Sequence, residues 1–432
     1  MLALAVLSYV LNATMITPLL PEIGRQVAPE GGDISLLSSL FFLSGSVAGI
    51  VLTRWSDFVG RRPVLLGALC ATVLGSLICF FADSLPVLLL GRVVQGMSSA
   101  AFQLTFIVLA ETLDTAQFGV ALGVITAVNG GFGGTDGYLG GLIARHYGYR
   151  PVFACLGLVA LLALALLPLV LCSAPPPRRG EKMDWTGAFF LSAGLVALMS
   201  GVSRGGYLPL FLLSAVLFFL FCKVEQHSAC PLIEVRHFRS RRIWPIITTT
   251  ILTLAGLFAV INFTVILLSQ DSVIGFGMRP EDSALAFLSP PALIGVAAAP
   301  FAGWLAVRWG WVRTLKLGQI CSIATLAVIA LFPFERMIVI AGIATLGVFY
   351  NGLTLTPLNG LGVLLSPEEA PAALPGLNGA AFGIGASLGI AIVSPFVLSG
   401  SIQVALWISV LITCAALVAA HFVPSPRNAH AD

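Results

Sequence analysis

The chain has 432 residues, of which 58% are hydrophobic and 9% charged, with a net charge of +3 and a mean hydropathy of +1.00. Soluble domains carry about 25% charged residues, so the solvent for most of this chain is lipid. The positive charge is too small to suggest nucleic acid as a partner, and eight scattered cysteines show neither a C-x-x-C pair nor metal-ligand spacing.

Apolar runs of about 17–25 residues cross a bilayer as helices. Fourteen such runs are predicted, near 2–21, 36–53, 64–82, 86–109, 118–144, 151–172, 185–203, 207–224, 243–269, 284–307, 314–333, 337–356, 372–398 and 401–423. The chain opens directly on the first run, without a basic leader or a small-residue cleavage pattern, so no cleaved signal is expected. Lysine and arginine set the orientation. With the N-terminus inside, cytoplasmic loops and the tail hold 15 of the 22 basic residues and external loops hold six. Both termini are therefore expected in the cytoplasm of a multi-pass protein, in a bacterial plasma or inner membrane.

After the second run comes a basic turn, Thr53-Arg54-Trp55-Ser56-Asp57-Phe58-Val59-Gly60-Arg61-Arg62-Pro63. It has an echo at Gly303-Trp304-Leu305-Ala306-Val307-Arg308-Trp309-Gly310-Trp311-Val312-Arg313, with Val307 in place of Asp57. A repeated turn after the second run of each half is what two related six-helix bundles show. The expected division is a bundle over 1–173, a linker with two additional helices over 174–242, a second bundle over 243–424 and a tail over 425–432.

Arg92 and Asp136 are the clearest ionisable groups inside runs, each costing about 2.5–3.5 kcal/mol at a helix centre on insertion scales. Two readings stand. Either Asp136 exchanges a proton and Arg92 tunes it, or the two form a permanent ion pair that locks helices. Arg92, Gln95, Ser99 and Gln103 share one helix face, as do Asn129, Gly133, Asp136 and Gly140. Polar stripes in lipid face protein or water, so these residues, with Asn12, Asn262 and Gln270, are candidates to line a central cavity. Asn351, Asn359 and Asn378 are further candidates. Phe102, Phe106, Phe132, Tyr138, Phe258, Phe263 and Tyr350 are candidates for an aromatic wall. No Gly-x-x-x-x-Gly-Lys-Ser/Thr loop or histidine–cysteine cluster occurs, which argues against a nucleotide-driven pump or a metal-dependent membrane enzyme.

The turn, with Asp57, Gly60, Arg61 and Arg62, resembles the loop between helices 2 and 3 of major facilitator transporters, where it serves as a gate. Gly91-Arg92-Val-Val-Gln95-Gly96 resembles the helix-4 signature of that family. Gly130-Gly-Phe-Gly133-Gly-Thr-Asp136-Gly137-Tyr-Leu-Gly140-Gly141 resembles its glycine-rich antiporter signature. Leu11-Asn12-Ala13-Thr14 with Pro21-Glu22-Ile23, and Asp184-Trp185-Thr-Gly187 in the inserted pair, are similar to the drug:proton antiporters with fourteen spans. Two departures stand out: Asn12 occupies the position of an aspartate, and Asp136-Gly137 that of Gly-Pro. The resemblance implies an all-α membrane fold of two six-helix bundles plus two inserted helices. It further implies a monomeric antiporter that exports small amphipathic or drug-like compounds. Such a transporter takes its energy from a proton gradient and needs no cofactor or metal. A metabolite exporter, an uptake permease and a non-transporting receptor remain open alternatives.

Overall fold

A computed structural model describes residues 1–27, 34–113, 125, 128–129, 136–170, 183–203, 207–228, 243–365 and 373–425. Every described element is helical. The helices are α1 (Leu2–Val27), α2 (Leu36–Val59), α3 (Arg61–Phe80), α4 (Leu85–Leu109), α5 (136–147), α6 (Arg150–Val170), α7 (Trp185–Ser203) and α8 (Leu208–His227). They continue with α9 (Trp244–Gln270), α10 (Pro280–Trp309), α11 (Trp311–Leu331), α12 (Arg336–Gly362), α13 (Ala373–Leu398) and α14 (Ile402–Ala420). Among the described residues, twelve helices are long and apolar enough to cross a membrane. The described parts of α5 and α7 fall outside that set and lie where the fifth and seventh runs were expected.

Helices α1–α6 pack on one another, and α9–α14 do the same. The two groups meet along α2 and α13, and again where α1 meets the facing ends of α9 and α10. The inserted pair α7–α8 forms a hairpin whose α7 side leans on both α2 and α13. The hairpin closes tightly because Gly187 has no side chain: the Glu225 carboxyl fills the space a Cβ would take, and the Gly187 amide donates to Asp184 Oδ1 at 2.8 Å.

The basic turn is shorter than its sequence suggested. α2 continues to Val59 and α3 begins at Arg61, so Gly60 alone makes the reversal, with φ 99°. Gly310 does the same between α10 and α11, with φ 103°. A side chain is strained there, which explains why the repeat keeps a glycine while losing the acid.

Large apolar side chains such as Leu74, Leu158, Phe219 and Leu411 cover the outer faces of the helices. A soluble surface would not tolerate them, but acyl chains solvate them. Inside, hydroxyls pair within their own helix, as Thr72 does with the Ala68 carbonyl at 2.8 Å and Thr413 with that of Ser409 at 2.8 Å.

Candidate substrate cavity

A cavity of about 150 Å³ lies between the two bundles. Its described walls come from α1, α2, α4, α9, α10, α12 and α13, with Asn129 ahead of α5, and they contain no charged side chain. Four asparagines, Asn129, Asn262, Asn351 and Asn359, line it together with Thr14. Tyr9, Phe42, Phe102, Phe258, Tyr350 and Phe382 supply aromatic surface.

The second bundle presents its polar groups through irregular helix. α9 contains π-helical turns at Leu254–Phe258 and Val260–Thr264, and α12 contains one at Gly347–Leu355. A π turn shifts side chains out of the regular 3.6-residue register and is frequent at functional sites. Here the turns bring Phe258 and Asn262, and Tyr350 and Asn351, onto the cavity wall. The Asn351 amide donates to the Pro291 carbonyl at 3.0 Å, and that of Asn262 to the Phe258 carbonyl at 3.4 Å. Both amide NH₂ groups are engaged by protein, so each side chain has an acceptor oxygen left for a solute.

Of the residues expected to line the cavity, Asn129 and Asn262 do, and so do Asn351 and Asn359. Asn12, Gln95, Gln103 and Gln270 do not. Gln103 fills the seam between α2, α4 and α13, where Gly49 and Gly379 make room for it. Gln270 stands at the far end of α9 and donates to the Pro18 carbonyl at 3.0 Å. Asn378 turns away to accept from Thr250 at 2.7 Å. Phe102, Phe258 and Tyr350 belong to the wall, whereas Phe106, Tyr138 and Phe263 do not. Phe132 and Gly133 lie outside the described residues.

Arg92 and Asp136 are both fully buried, and the ion pair weighed from sequence is not formed. Arg92 instead clamps its own bundle. Its Nε donates to the Leu37 carbonyl at 2.9 Å, and its Nη1 to the Asn12 carbonyl at 3.0 Å and to Gln95 Oε1 at 2.8 Å. Its guanidinium lies 4.3 Å from the Phe41 ring centroid, and Gln95 passes the network on to Ser76 at 2.9 Å. The first segment of α1 ends at Thr14, so Asn12 belongs to a last turn whose carbonyls lack helical donors. Backbone carbonyls and a π face thus take the place of the expected acid.

Asp136 sits at the start of the described part of α5. Its Oδ2 accepts from the Thr14 hydroxyl at 2.6 Å and its Oδ1 from the Gly137 amide at 2.8 Å. Thr14 itself lines the cavity, so one hydrogen bond separates the carboxyl from the solute space.

Beyond Asp136 the bundles touch closely. A Cβ on Gly141 would lie 2.8 Å from the Glu281 backbone and one on Gly137 2.9 Å from Leu288, both in the other bundle, while one on Gly140 would lie 2.5 Å from the Met15 carbonyl of α1 in its own bundle. Arg145 pairs with Glu281 across the same seam at 3.3 Å. The glycines therefore work as contact surface, which closes the cavity toward the Glu281 end.

At the opposite end, Asp57 accepts from Arg54 at 2.8 Å and from Arg61. Arg61 also reaches Ser56 at 2.6 Å and Glu111 at 2.9 Å, and Arg62 donates to the Pro168 carbonyl at 3.2 Å. These bonds tie α2 and α3 to the ends of α4 and α6. No group of His, Cys, Asp and Glu fit to hold a metal occurs among the described residues.

The family model described as Major Facilitator Superfamily matches residues 2–390, so the chain belongs to that superfamily. It is 33% identical over 403 residues to the "Uridine/deoxyuridine transporter" of Lactococcus lactis subsp. cremoris, a match covering 90% of this chain and 84% of that one. It is 26% identical over 405 residues to the "Tetracenomycin C resistance and export protein" of Streptomyces glaucescens, covering 90% and 73%. The fold is similar to that of the human organic anion transporter MFSD10, with TM-score 0.66, 16% identity and 97% of each chain covered. It is also similar to the xylose transporter XylE of E. coli in a partially occluded inward-open conformation, with TM-score 0.65, 15% identity and 98% and 96% covered. These matches are to transporters, not enzymes.

Proposed function

We propose that this chain is a proton-coupled secondary transporter of a neutral, polar, ring-bearing solute of the pyrimidine-nucleoside class. The observation that carries this reading is the cavity, with aromatic surface and four carboxamides and no charge in its described walls. A nucleoside presents a flat ring for aromatic stacking and several N–H and O–H donors for amide oxygens, and it brings no charge that needs a counter-ion. A cationic drug would find no acid in those walls. The printed name of the 33% identical relative supports the same class.

Alternating access follows from two bundles that rock about a central site. Asp136 and Thr14 serve as the coupling pair: a proton on the carboxyl alters the Thr14 contact and hence the cavity wall. The turn at Gly60 acts as the gate at the opposite end. Fourteen spans, both termini in the cytoplasm, division of the bundles at 173 and 243, and a monomer in a bacterial plasma membrane complete the reading.

Export of amphipathic compounds is the second reading, favoured by the relatives named for resistance and export and by the aromatic share of the wall. A competition assay separates the two. Labelled uridine is offered to proteoliposomes containing the purified chain, with cytidine, adenosine, xylose and a panel of amphipathic cations as competitors. Saturable uridine movement that pyrimidine nucleosides inhibit supports the first reading. Movement of the cations without uridine movement supports the second.

A further inference from the structure

A second cavity, separate from the central one, lies between the inserted hairpin and the seam of the two bundles. Its volume is about 350 Å³, more than ten times the ~30 Å³ that a liquid water occupies. Its walls are Leu191, Leu195 and Leu198 of α7, Phe218, Phe221 and Cys222 of α8, Ile50 of α2, Ile247 and Ile251 of α9, and the α13 stretch from Leu377 to Ile384. None of these side chains offers water a strong hydrogen-bond partner, so water gains nothing by entering. Such walls are solvated by apolar groups rather than by water.

The position of the cavity identifies the filler. Leu191 and Leu198 lie six and thirteen residues inside α7, Ile247 and Ile251 three and seven inside α9, and Leu377 and Ile384 four and eleven inside α13. At 1.5 Å per residue the cavity spans depths of about 5 to 20 Å below helix ends that all lie on the Asp57 side. One leaflet of a bilayer supplies about 15 Å of hydrocarbon. Tryptophans mark the head-group level above it: Trp185 and Trp244 begin α7 and α9, and Trp55 contacts Trp185 at 5.9 Å between ring centroids.

We propose that the acyl chain of a bilayer lipid, from the leaflet on the Asp57 side, occupies this cavity. Its walls come from α2 and α13, the helices along which the bundles meet, and from the inserted pair. The lipid chain therefore joins the inserted hairpin to the seam, which gives these two additional helices a task that the central cavity does not require.

The test is photolabelling of the full chain in vesicles of phosphatidylethanolamine and phosphatidylglycerol, doped with a phospholipid that carries a diazirine within one acyl chain. Labelled peptides are mapped by mass spectrometry. The expected label falls on Phe218, Phe221, Ile247, Ile251, Leu377 and Ile384, and is lost at those residues in Ala381→Phe and in Cys222→Trp, each of which fills the cavity. Outward-facing Val216 and Phe219 should remain labelled in both variants, which also reports that they fold. Label confined to such outward positions in the wild-type chain overturns the proposal, whatever the variants do. Undiminished wall labelling in both folded variants overturns it as well.

Discussion

The Thr14 hydroxyl donates to the Asp136 carboxylate at 2.6 Å and so links a residue of the cavity wall to a buried acid that no arginine neutralises among the described residues. The two residues belong to different helices of one bundle, 122 positions apart, beside the glycines on which the other bundle rests. A change of charge on Asp136 is thus felt at the solute space and at the closing seam together. Thr14→Val removes the donor but keeps the shape. The expected outcome is solute exchange without a gradient at near wild-type rate, and a changed pH profile of net transport.

Gly141 tests the seam itself. A Cβ there meets the Glu281 backbone, which cannot swing aside as a flexible side chain could. Gly141→Val should hold the Glu281 end apart and reduce net transport to background, with the protein still correctly inserted. Arg145→Ala, by contrast, removes the half-exposed partner of the buried Glu281 and should weaken closure without abolishing net transport. Cysteine accessibility at the Glu281 end reads both.

Arg92 is expected to act on stability rather than selectivity. It makes three hydrogen bonds that tie α1, α2 and α4, and hydrogen bonds to charged groups contribute about 1.5–3 kcal/mol each. Arg92→Leu should lower the thermal unfolding temperature in detergent by several degrees. Whatever fraction stays folded should bind solute with near wild-type affinity. A stable variant with lost solute affinity would place Arg92 in the site instead.

Asn262 and Asn351 should set solute affinity. Replacing either with leucine leaves a polar solute group without its acceptor, at a cost of about 1–3 kcal/mol, or roughly fivefold to 150-fold in apparent affinity. The same replacement at Asn378, which bonds Thr250 and faces away, should leave affinity unchanged. Uridine concentration series for the three variants check this.

Much of the architecture was legible in sequence because lipid imposes a length and a polarity on every span. The 36–53 run and its basic turn marked α2, and the echo at Gly310 marked the repeat, since a positive φ admits glycine most easily. The helix ends were not legible: α2 carries Arg54 and Asp57 inside its last turns, paired with each other, where hydropathy alone ends the span at 53. The Arg92 site was misread for a physical reason. A cation in lipid suggests an acid, yet carbonyls at a helix break satisfy it, and sequence does not show where those carbonyls point. The second half of the cavity was only loosely legible. Asn262 and Asn351 reach the wall through π turns, which shift them off the periodicity on which a face is counted.

The most direct test is proton flux with uridine in proteoliposomes under an imposed pH gradient, for the wild-type chain and Asp136→Asn. The account predicts uridine-dependent proton movement in the wild type. In the variant it predicts uridine exchange without proton movement. Proton-coupled uridine transport that persists in Asp136→Asn would contradict the role given to this carboxyl, and the absence of any uridine movement in the wild type would contradict the solute class.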